Sequence, residues 1–405
     1  MRLGINGRPH LTYCTNIHSG ETWPEIRRNL DEYVLKVRAR IAPDRPYGIG
    51  LRLSGQAAAS LSDPTTLAEF LVFLRAHSLY VFTINGFPHG TFHGTRVKEK
   101  VYLPDWLDDE RLRYADQMAH LLAALLVDHP EIEGSISTVP GAFKARVRTL
   151  DDRAQIAERL LRHAATLHRI AQSTGRTIVC ALEPEPCCLL ETTDETVEFF
   201  TSYLFSTRAI ETFAAMTGLS PSAAEATLRR HLGVCLDACH AAVEFEEPAA
   251  ALAALEKAGI RIAKIQLSTG LRVARLDRTR LDALRPFAES TYLHQVVQRH
   301  ADTLTRYDDL PAAMDAVERT LREGADDIEW RIHFHVPLFL AQLGLFENTQ
   351  RFLAQLLVLQ RARVLTAHLE VEAYTWDVLP EQYRGMPVVD AIAREMDWVI
   401  GVLTR

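Results

Sequence analysis

The feature of the sequence that most constrains its fold is a repeated alternation of short apolar runs with longer stretches of helical periodicity. This alternation is typical of parallel strands joined by crossover helices. Eight such units predict an α/β fold of the (β/α)8 TIM-barrel type; a doubly wound parallel sheet is the alternative, because strand order cannot be read from one sequence. The predicted strands are Tyr13–Ile17, Ile49–Leu53, Tyr80–Ile84, Ile132–Val139, Thr177–Leu182, Gly233–Asp237, Ala263–Leu267 and Val364–Leu369.

Two regions exceed the length that a minimal barrel requires. Residues from about 204 to 231 form a predicted helical insertion before the sixth strand, and residues from about 270 to 362 form a long insertion between the seventh and eighth strands. The longer one contains two further strand-like runs, Tyr292–Val297 and Trp330–Val336. Because structureless loops of this length are uncommon, we expect the long insertion to cover or complete a site. Residues 1–405 are predicted to form a single barrel domain.

The charge balance and the apolar runs exclude several classes of protein. With 45 Lys and Arg against 52 Asp and Glu, the net charge is −7, which argues against a protein that binds nucleic acid through bulk electrostatics. No run reaches the roughly 18 apolar residues of a membrane span, so we expect a cytoplasmic protein. The six cysteines fit no disulfide scaffold and no zinc module, and we expect reduced thiols. The expected partner is a small-molecule substrate, and the oligomeric state stays open.

An Asp-x-x-His pair at the end of the sixth predicted strand is the strongest local signal of chemistry. Asp237 and His240 would meet at the mouth of the barrel, where TIM-barrel active sites lie. A carboxylate and an imidazole suit zinc, manganese or iron(II). An ordinary Asp–His hydrogen bond at a strand end is the alternative interpretation of the pair taken alone.

Carboxylates at two other predicted strand ends strengthen the metal interpretation. Glu183 follows the fifth strand and Glu370 follows the eighth, and buried carboxylates are costly unless they are paired or bind a metal. Glu185 and Glu372 share the strand parity of these residues, and we favour the first of each pair because it lies nearer its apolar run. Gln266, within the seventh strand, is a candidate neutral oxygen ligand or a core amide.

Further polar residues are candidates for substrate binding. His333 and His335 alternate in a strand-like run and therefore face one side of it. A glycine-rich segment after the third strand places polar and cationic residues where the backbone can approach a ligand closely. A substrate carrying hydroxyls and a phosphate would suit that segment, and a solvated charged loop is the alternative. The substrate-binding candidates are His18, Asn85, His89, His93, Lys98, His333 and His335.

Several stretches of the chain carry a resemblance to known families. The run from Gly233 to Ala241 is similar to a metal-ligand motif of the xylose-isomerase-like TIM-barrel superfamily, which includes sugar isomerases, ketose epimerases and endonuclease-IV-type phosphodiesterases. Longer stretches between residue 10 and about residue 380 resemble the metabolite-traffic protein family EboE. These stretches are His10–Trp23, Asn85–Gly90, Phe92–Gly94, Val101–Trp106 and His368–Asp377.

The resemblance implies a metal shell and a genetic setting. By residue-to-residue matching with the superfamily, the implied metal ligands are Glu183, Asp237, His240 and Glu370. Sugar isomerases often have His on the seventh strand where this chain has Gln266, so a histidine from the 330s is expected to substitute. The family implies a bacterial or algal operon whose products make or move a small metabolite, and hence protein partners encoded by the same operon.

These observations lead to three functional hypotheses. The leading one is a metal-dependent isomerase or epimerase of a small polyhydroxylated carbonyl compound, a sugar phosphate or a cyclitol, in which Glu183 or Glu370 moves a proton. It predicts that Glu370→Gln lowers turnover far more than it perturbs folding. The second is a metal-dependent phosphoester hydrolase of the endonuclease-IV-like branch. The third is a metabolite-binding barrel without catalytic activity.

Overall fold

The fold is that of a computed structural model, which describes residues 1–5, 9–322 and 327–404. Fourteen strands lie within these ranges, eight of them in one parallel sheet and six in a second, antiparallel sheet. The strands are β1 His10–Tyr13, β2 Tyr47–Arg52, β3 Leu79–Asn85, β4 Gly134–Thr138, β5 Ile178–Leu182, β6 Leu232–Asp237, β7 Arg261–Leu267, β8 Gly270–Val273, β9 Val296–His300, β10 Thr303–Tyr307, β11 Ile328–His335, β12 Gln342–Leu343, β13 Phe346–Asn348 and β14 His368–Val371.

The parallel sheet forms a barrel. Its strand order is β1-β14-β7-β6-β5-β4-β3-β2, so the last strand pairs with the first. Thr12 links β1 to β2, because its Oγ1 donates to the Gly48 carbonyl at 2.8 Å and accepts from the Gly50 amide at 3.1 Å. A parallel bridge between Cys14 and Gly50 continues this contact. The TIM-barrel prediction is therefore confirmed, and the doubly wound alternative is wrong.

Helices connect the barrel strands, and local capping sets where they begin and end. The longest described helix starts at a capping box, in which Thr149 and Asp152 exchange hydrogen bonds, and it ends at Gly175 with φ +72°. The helices are α1 Trp23–Asn29, α2 Leu35–Ile41, α3 Gly55–Leu61, α4 Pro64–Ala76, α5 Asp109–Leu125, α6 Leu150–Thr174, α7 Thr193–Phe199, α8 Thr207–Thr217, α9 Pro221–His231, α10 Ala238–Val243, α11 Pro248–Lys257, α12 Arg278–Ala283, α13 Leu310–Arg322, α14 Gln350–Ala362 and α15 Val388–Thr404. Within residues 1–5, 9–322 and 327–404, no helix combines the length and the apolarity that a membrane crossing needs.

Both predicted insertions are present. Helices α8 and α9 form the helical pair before β6. The longer insertion contributes the antiparallel sheet, in the order β10-β9-β11-β8-β13-β12. Trp330, Ile332 and Phe334 on β11 are buried in an apolar cluster of the insertion's own. This packing gives β11 a fixed place and lets it present His333 and His335 as side chains of an ordered strand.

The first and last barrel strands differ from their predicted positions. β1 ends at Tyr13, where the predicted strand began, and β14 begins at His368, four residues after the predicted start. The Gln360 side-chain oxygen accepts from the Leu365 and Thr366 amides, so this apolar stretch is a connection rather than sheet. The later β14 shifts which carboxylate stands at the strand end.

Candidate metal centre

Three carboxylates meet at the carboxyl ends of three barrel strands. Glu183 follows the last residue of β5, Asp237 ends β6, and Glu372 follows the last residue of β14. One oxygen atom of each lies within 4.8 Å of the others, and all three side chains are buried. We call these residues the carboxylate centre. The barrel thus brings carboxylates from three strand ends together.

The backbone around Asp237 leaves one of its oxygens uncommitted. Oδ1 accepts from the amides of Cys239 at 2.7 Å and His240 at 3.0 Å, and from the Ser268 hydroxyl at 2.6 Å. These bonds form because Asp237 caps the short helix α10 at the end of β6. Oδ2 is buried and accepts no hydrogen bond within the described residues. Oδ2 is therefore oriented and free to bind a cation.

The other two carboxylates each show one part of this arrangement. Oε1 of Glu372 accepts from the side-chain amides of Asn16 at 2.8 Å and Asn85 at 3.0 Å. Oε2 of Glu183 is buried and has no hydrogen-bond partner among the described residues. A buried oxygen without a partner is costly, and a bound cation would remove that cost.

Two imidazoles complete the group, each with its Nδ1 fixed by a backbone carbonyl. His240 Nδ1 lies 2.8 Å from the Pro184 carbonyl, and His335 Nδ1 lies 3.0 Å from the Glu372 carbonyl. Because a carbonyl only accepts, each Nδ1 carries the hydrogen and each Nε2 presents a lone pair. His335 Nε2 has no partner among the described residues, and ligand atoms of Asp237, His240 and His335 lie within 4.8 Å of one another.

A second group of possible ligands adjoins the first. Glu185, His240 and His333 offer atoms within 4.8 Å of one another, with the Nε2 atoms of the two histidines 3.1 Å apart. Hydrogen bonds within the protein hold both Glu185 and His333 of this group. Glu185 Oε1 accepts from Tyr102 at 2.7 Å and from Gln295 at 3.0 Å, and the Gln295 side-chain oxygen lies 2.8 Å from His333 Nδ1.

Electrostatics in the centre favour a cation. Burial raises the pKa of Glu183 and of Glu372 well above the usual range, and the neighbouring Asp237 charge adds to this. Burial also acts to raise the pKa of Asp237, but His240, His335 and the Ser268 hydrogen bond outweigh it and lower that pKa. Burial lowers the pKa of His335 to about 3, so its imidazole is neutral and able to ligate. Crowded carboxylates beside neutral imidazoles fit a divalent ion.

Glu370 and Gln266, two predicted ligands, lie one step deeper in the barrel. Glu370 Oε2 accepts from Lys264 Nζ at 2.6 Å, and both side chains are fully buried. Glu370 belongs to none of the ligand groups among the described residues, and Glu372 stands in the place predicted for it. The reason is the shift of β14, which places Glu370 inside the strand. Gln266 is in register with both Glu370 and Asp237, and neither of its amide atoms has a described partner.

A small cavity of about 50 Å³ lies beside the centre. Glu183, Glu185 and Glu372 form part of its wall, and the predicted substrate-binding residues Asn85, Lys98 and His333 line it as well. Most of the remaining wall is aromatic or apolar. Its other lining residues are Asn16, Phe87, Pro88, Phe92, Val101, Tyr102, His240, Tyr292, Leu293 and Tyr374.

The other four predicted substrate-binding residues do not line this cavity. One of them, His335, is a possible metal ligand beside Asp237 and His240. His18 lies 3.0 Å from the Tyr13 hydroxyl and stacks on Tyr33. His89 packs edge-on against Tyr114. The ring nitrogens of His93 are buried and have no described hydrogen-bond partner, and burial lowers the pKa of His93 to about 4. Their role in substrate binding stays a prediction.

Two residues that hold the site were not among the residues predicted for it. Tyr102 and Gln295 hold Glu185, yet they are 193 positions apart. Tyr102 ends a short 3-10 helix between β3 and α5, and Gln295 precedes β9 in the long insertion. Neither belongs to a motif with a chemical reason for its spacing. Glu372, in contrast, had a signal, because it stands two residues after Glu370 with the same parity.

Comparisons with known proteins give likenesses in overall structure. No protein-family model matches the sequence, and no curated protein matches it. The probable 3-DHS dehydratase AsbF of petrobactin synthesis from Bacillus anthracis is 11% identical, with 98% of this chain and 99% of that chain covered and a TM-score of 0.43. The IOLI protein with a bound zinc atom is 13% identical over 98% of each chain, with a TM-score of 0.47.

A xylose isomerase domain protein from Alicyclobacillus acidocaldarius is 12% identical, with 98% of this chain and 99% of that chain covered and a TM-score of 0.39. At these identities and TM-scores, the likenesses transfer no residue's role, no metal and no substrate to this chain.

Proposed function

We propose that this protein is a divalent-metal-dependent isomerase or epimerase that acts on a small polyhydroxylated carbonyl compound. The observation that carries the proposal is the buried carboxylate centre with the adjoining His335. Oxygens of Glu183 and Asp237 and a nitrogen of His335 have no hydrogen-bond partner among the described residues. Such unpartnered buried atoms are rare unless a ligand satisfies them.

The ion would be held by Glu183, Asp237, Glu372 and His335, with His240 as a further nitrogen donor. A mixed set of carboxylates and imidazoles suits manganese, zinc or iron(II). When bound, such an ion polarises a carbonyl and stabilises the negative charge that develops on its oxygen.

The residues around the ion would orient the substrate and move the proton. Glu183, through the carboxylate oxygen that does not hold the ion, would take the proton from the carbon next to the carbonyl and deliver it to the former carbonyl carbon, because its side chain lines the cavity. The proton of the neighbouring hydroxyl passes to the former carbonyl oxygen, which balances the isomerisation. Asn16 and Asn85 keep Glu372 in one orientation throughout. Glu370, bound to Lys264, takes no part in proton transfer in this scheme.

The finer setting of the protein is also proposed. The long stretches that resemble the metabolite-traffic family EboE, from His10–Trp23 to His368–Asp377, support membership of that family and a role beside operon-encoded partners. All six cysteines are free thiols, which supports a place in the reducing cytoplasm.

A phosphoester hydrolase is the second candidate, because the group of Glu185, His240 and His333 adjoins the carboxylate centre and would offer a second ion three donors. Hydrolases of this kind use two or more ions to stabilise the attacking and leaving oxygens. The number of bound ions therefore separates the two candidates.

The first experiment measures bound metals per chain by mass spectrometry, on protein purified without chelators. About one transition-metal ion per chain supports the isomerase, and two or more support the hydrolase. The Asp237→Ala/His240→Ala variant is expected to lose the metal, and Glu244→Gln, which removes a buried carboxylate paired with Arg306, is expected to retain it. No metal after incubation with manganese, zinc or iron(II) would leave a metabolite-binding barrel.

The second experiment tests the reaction with the metal-loaded protein. Ketoses and cyclitol ketones are incubated in deuterated water, and exchange of the hydrogen next to the carbonyl is followed by nuclear magnetic resonance. Exchange that Glu183→Gln abolishes, in a folded protein, supports the assigned proton transfer. Unchanged exchange in that variant would remove Glu183 from the scheme.

A further inference from the structure

Aromatic rings close the cavity beside the carboxylate centre. Phe92, Tyr292 and Tyr374, which we call the aromatic cap, have ring centroids 5.2 to 5.4 Å apart. They come from three separate segments, which follow β3, precede β9 and follow β14. Phe87 and Tyr102 add two more rings to the lining. The three rings are tilted against one another by 48 to 78°, and the face of a single ring can pack against the C–H face of a sugar or cyclitol ring.

The cation in the cavity wall is already neutralised. Lys98 is the only Lys or Arg among the described residues that line the cavity. Its Nζ donates to Asp309 Oδ2 at 2.7 Å and to the Glu289 carbonyl at 3.0 Å, and the side chain is buried. A phosphate entering the cavity would therefore have to compete with Asp309 for this ammonium group.

Two other cations near the site, Arg52 and Lys264, are likewise paired with carboxylates of the protein. Arg52 lies 2.8 Å from Glu21 and donates to the Gly20 and Gly90 carbonyls, each at 2.9 Å. Lys264 is bound to Glu370. Neither guanidinium nor ammonium lines the cavity, so neither presents a donor to a phosphate there.

Negative charge dominates the rest of the site. The cavity wall contains Glu183, Glu185 and Glu372, and Asp237 adjoins them in the carboxylate centre. A bound divalent ion would favour the ionised form of these four carboxyl groups, and its own charge would offset two of them. An anionic substrate would meet the remaining negative charge in a buried site, where Coulomb repulsion is weakly screened.

We propose that the substrate of this site is an uncharged polyhydroxylated ring, a free sugar or cyclitol rather than a phosphorylated or carboxylated one. Its C–H face packs against the aromatic cap, and its hydroxyls donate to the carboxylates, among them Glu185. This inference rests on the proposed function and selects, within its substrate class, the members that carry no charge.

The test is titration calorimetry on the full, metal-loaded chain, with D-glucose, D-fructose and myo-inositol each compared with its monophosphate. We expect at least one uncharged probe to bind about tenfold or more tightly than its monophosphate. Equal or tighter binding of the monophosphates would overturn the inference. Failure of every uncharged probe to bind would overturn it as well.

Two variants address the two arms of the argument. Tyr292→Ala removes a ring of the cap and is expected to weaken binding of the uncharged probe several-fold at unchanged metal content. Tyr203→Ala, which removes a ring stacked on Phe199 away from the cavity, is the matched control.

Asp309→Asn keeps the oxygen that accepts from the His294 and Leu310 amides while releasing the charge of Lys98. It is expected to strengthen binding of the monophosphates. Unchanged affinities in both variants would contradict the assigned roles.

A failure of the uncharged-substrate inference can be distinguished from a failure of the proposed function. Metal content is measured before any probe is added, so a chain that binds no metal fails the proposed function first. A chain that binds metal and prefers the monophosphates keeps its metal centre and loses only the uncharged substrate class.

Discussion

Two charged groups lie one step apart along the inside of the barrel, and they are balanced in opposite ways. Glu370 forms an ion pair with Lys264, so the protein itself neutralises this buried negative charge. Two residues further along the chain, Glu372 joins Glu183 and Asp237, and these buried carboxylates face one another. A buried charge paired with an opposite charge serves the fold, whereas buried like charges that face one another indicate a site that a ligand completes.

The largest expected effect on stability comes from breaking the ion pair of Glu370 and Lys264, which we call the inner pair. Glu370→Gln leaves the Lys264 ammonium buried without its carboxylate and is expected to lower the free energy of unfolding by about 3–5 kcal/mol. This position reverses the expectation, drawn from the sequence, that the substitution mainly affects turnover. Urea unfolding measures the effect, and the double variant Lys264→Met/Glu370→Gln should recover much of the loss. A Glu370→Gln protein of normal stability that has lost its metal would place Glu370 in the metal centre.

The carboxylate centre should respond to metal where the inner pair does not. Saturating the wild type with manganese or zinc at about 100 times the dissociation constant is expected to stabilise it by about 2.7 kcal/mol. In Glu372→Gln that gain should largely disappear, although the variant itself unfolds no more easily without metal, because it relieves like-charge repulsion. Thermal unfolding with and without metal gives both values. An undiminished gain in Glu372→Gln would exclude Glu372 as a ligand.

The sequence predicted these two groups to different degrees. Asp237 and His240 were predictable because strand, cap and helix follow one another within a single short run. His333 and His335 were predictable as a same-side pair from strand parity alone. The choice between Glu370 and Glu372 was not, because it depends on where β14 ends. Gln360 binds the backbone of residues 365 and 366, just before β14 begins, and hydrophobic periodicity does not contain this contact.

Acid should weaken the fold at the amino-terminal end of the barrel whether or not metal is bound. Burial lowers the pKa of His10 to about 3, and its Nδ1 lies 2.8 Å from the Tyr80 hydroxyl. The unfolded chain binds a proton near pH 6.5 and the folded chain does not, so stability is lost as the pH falls below about 6.5 towards 3. Urea unfolding of His10→Gln between pH 7 and 4.5 should show a shallower loss, on the order of a few kcal/mol less. An identical pH dependence would show that His10 is protonated in the folded protein.

The smallest effect is expected at Gln266, which stands in register with Glu370 on one side and Asp237 on the other. Its side-chain amide is buried and has no partner among the described residues, so it contributes no hydrogen bond to either group. Gln266→Met keeps the length of the side chain and removes the unpaired amide, and the change in unfolding free energy is expected to be within about 1 kcal/mol, at unchanged metal content. Urea unfolding gives the change in unfolding free energy, and metal analysis of the same preparation gives the metal content. If the variant loses metal, Gln266 belongs to the carboxylate centre as a neutral ligand, and the boundary between the two groups lies one residue deeper in the barrel.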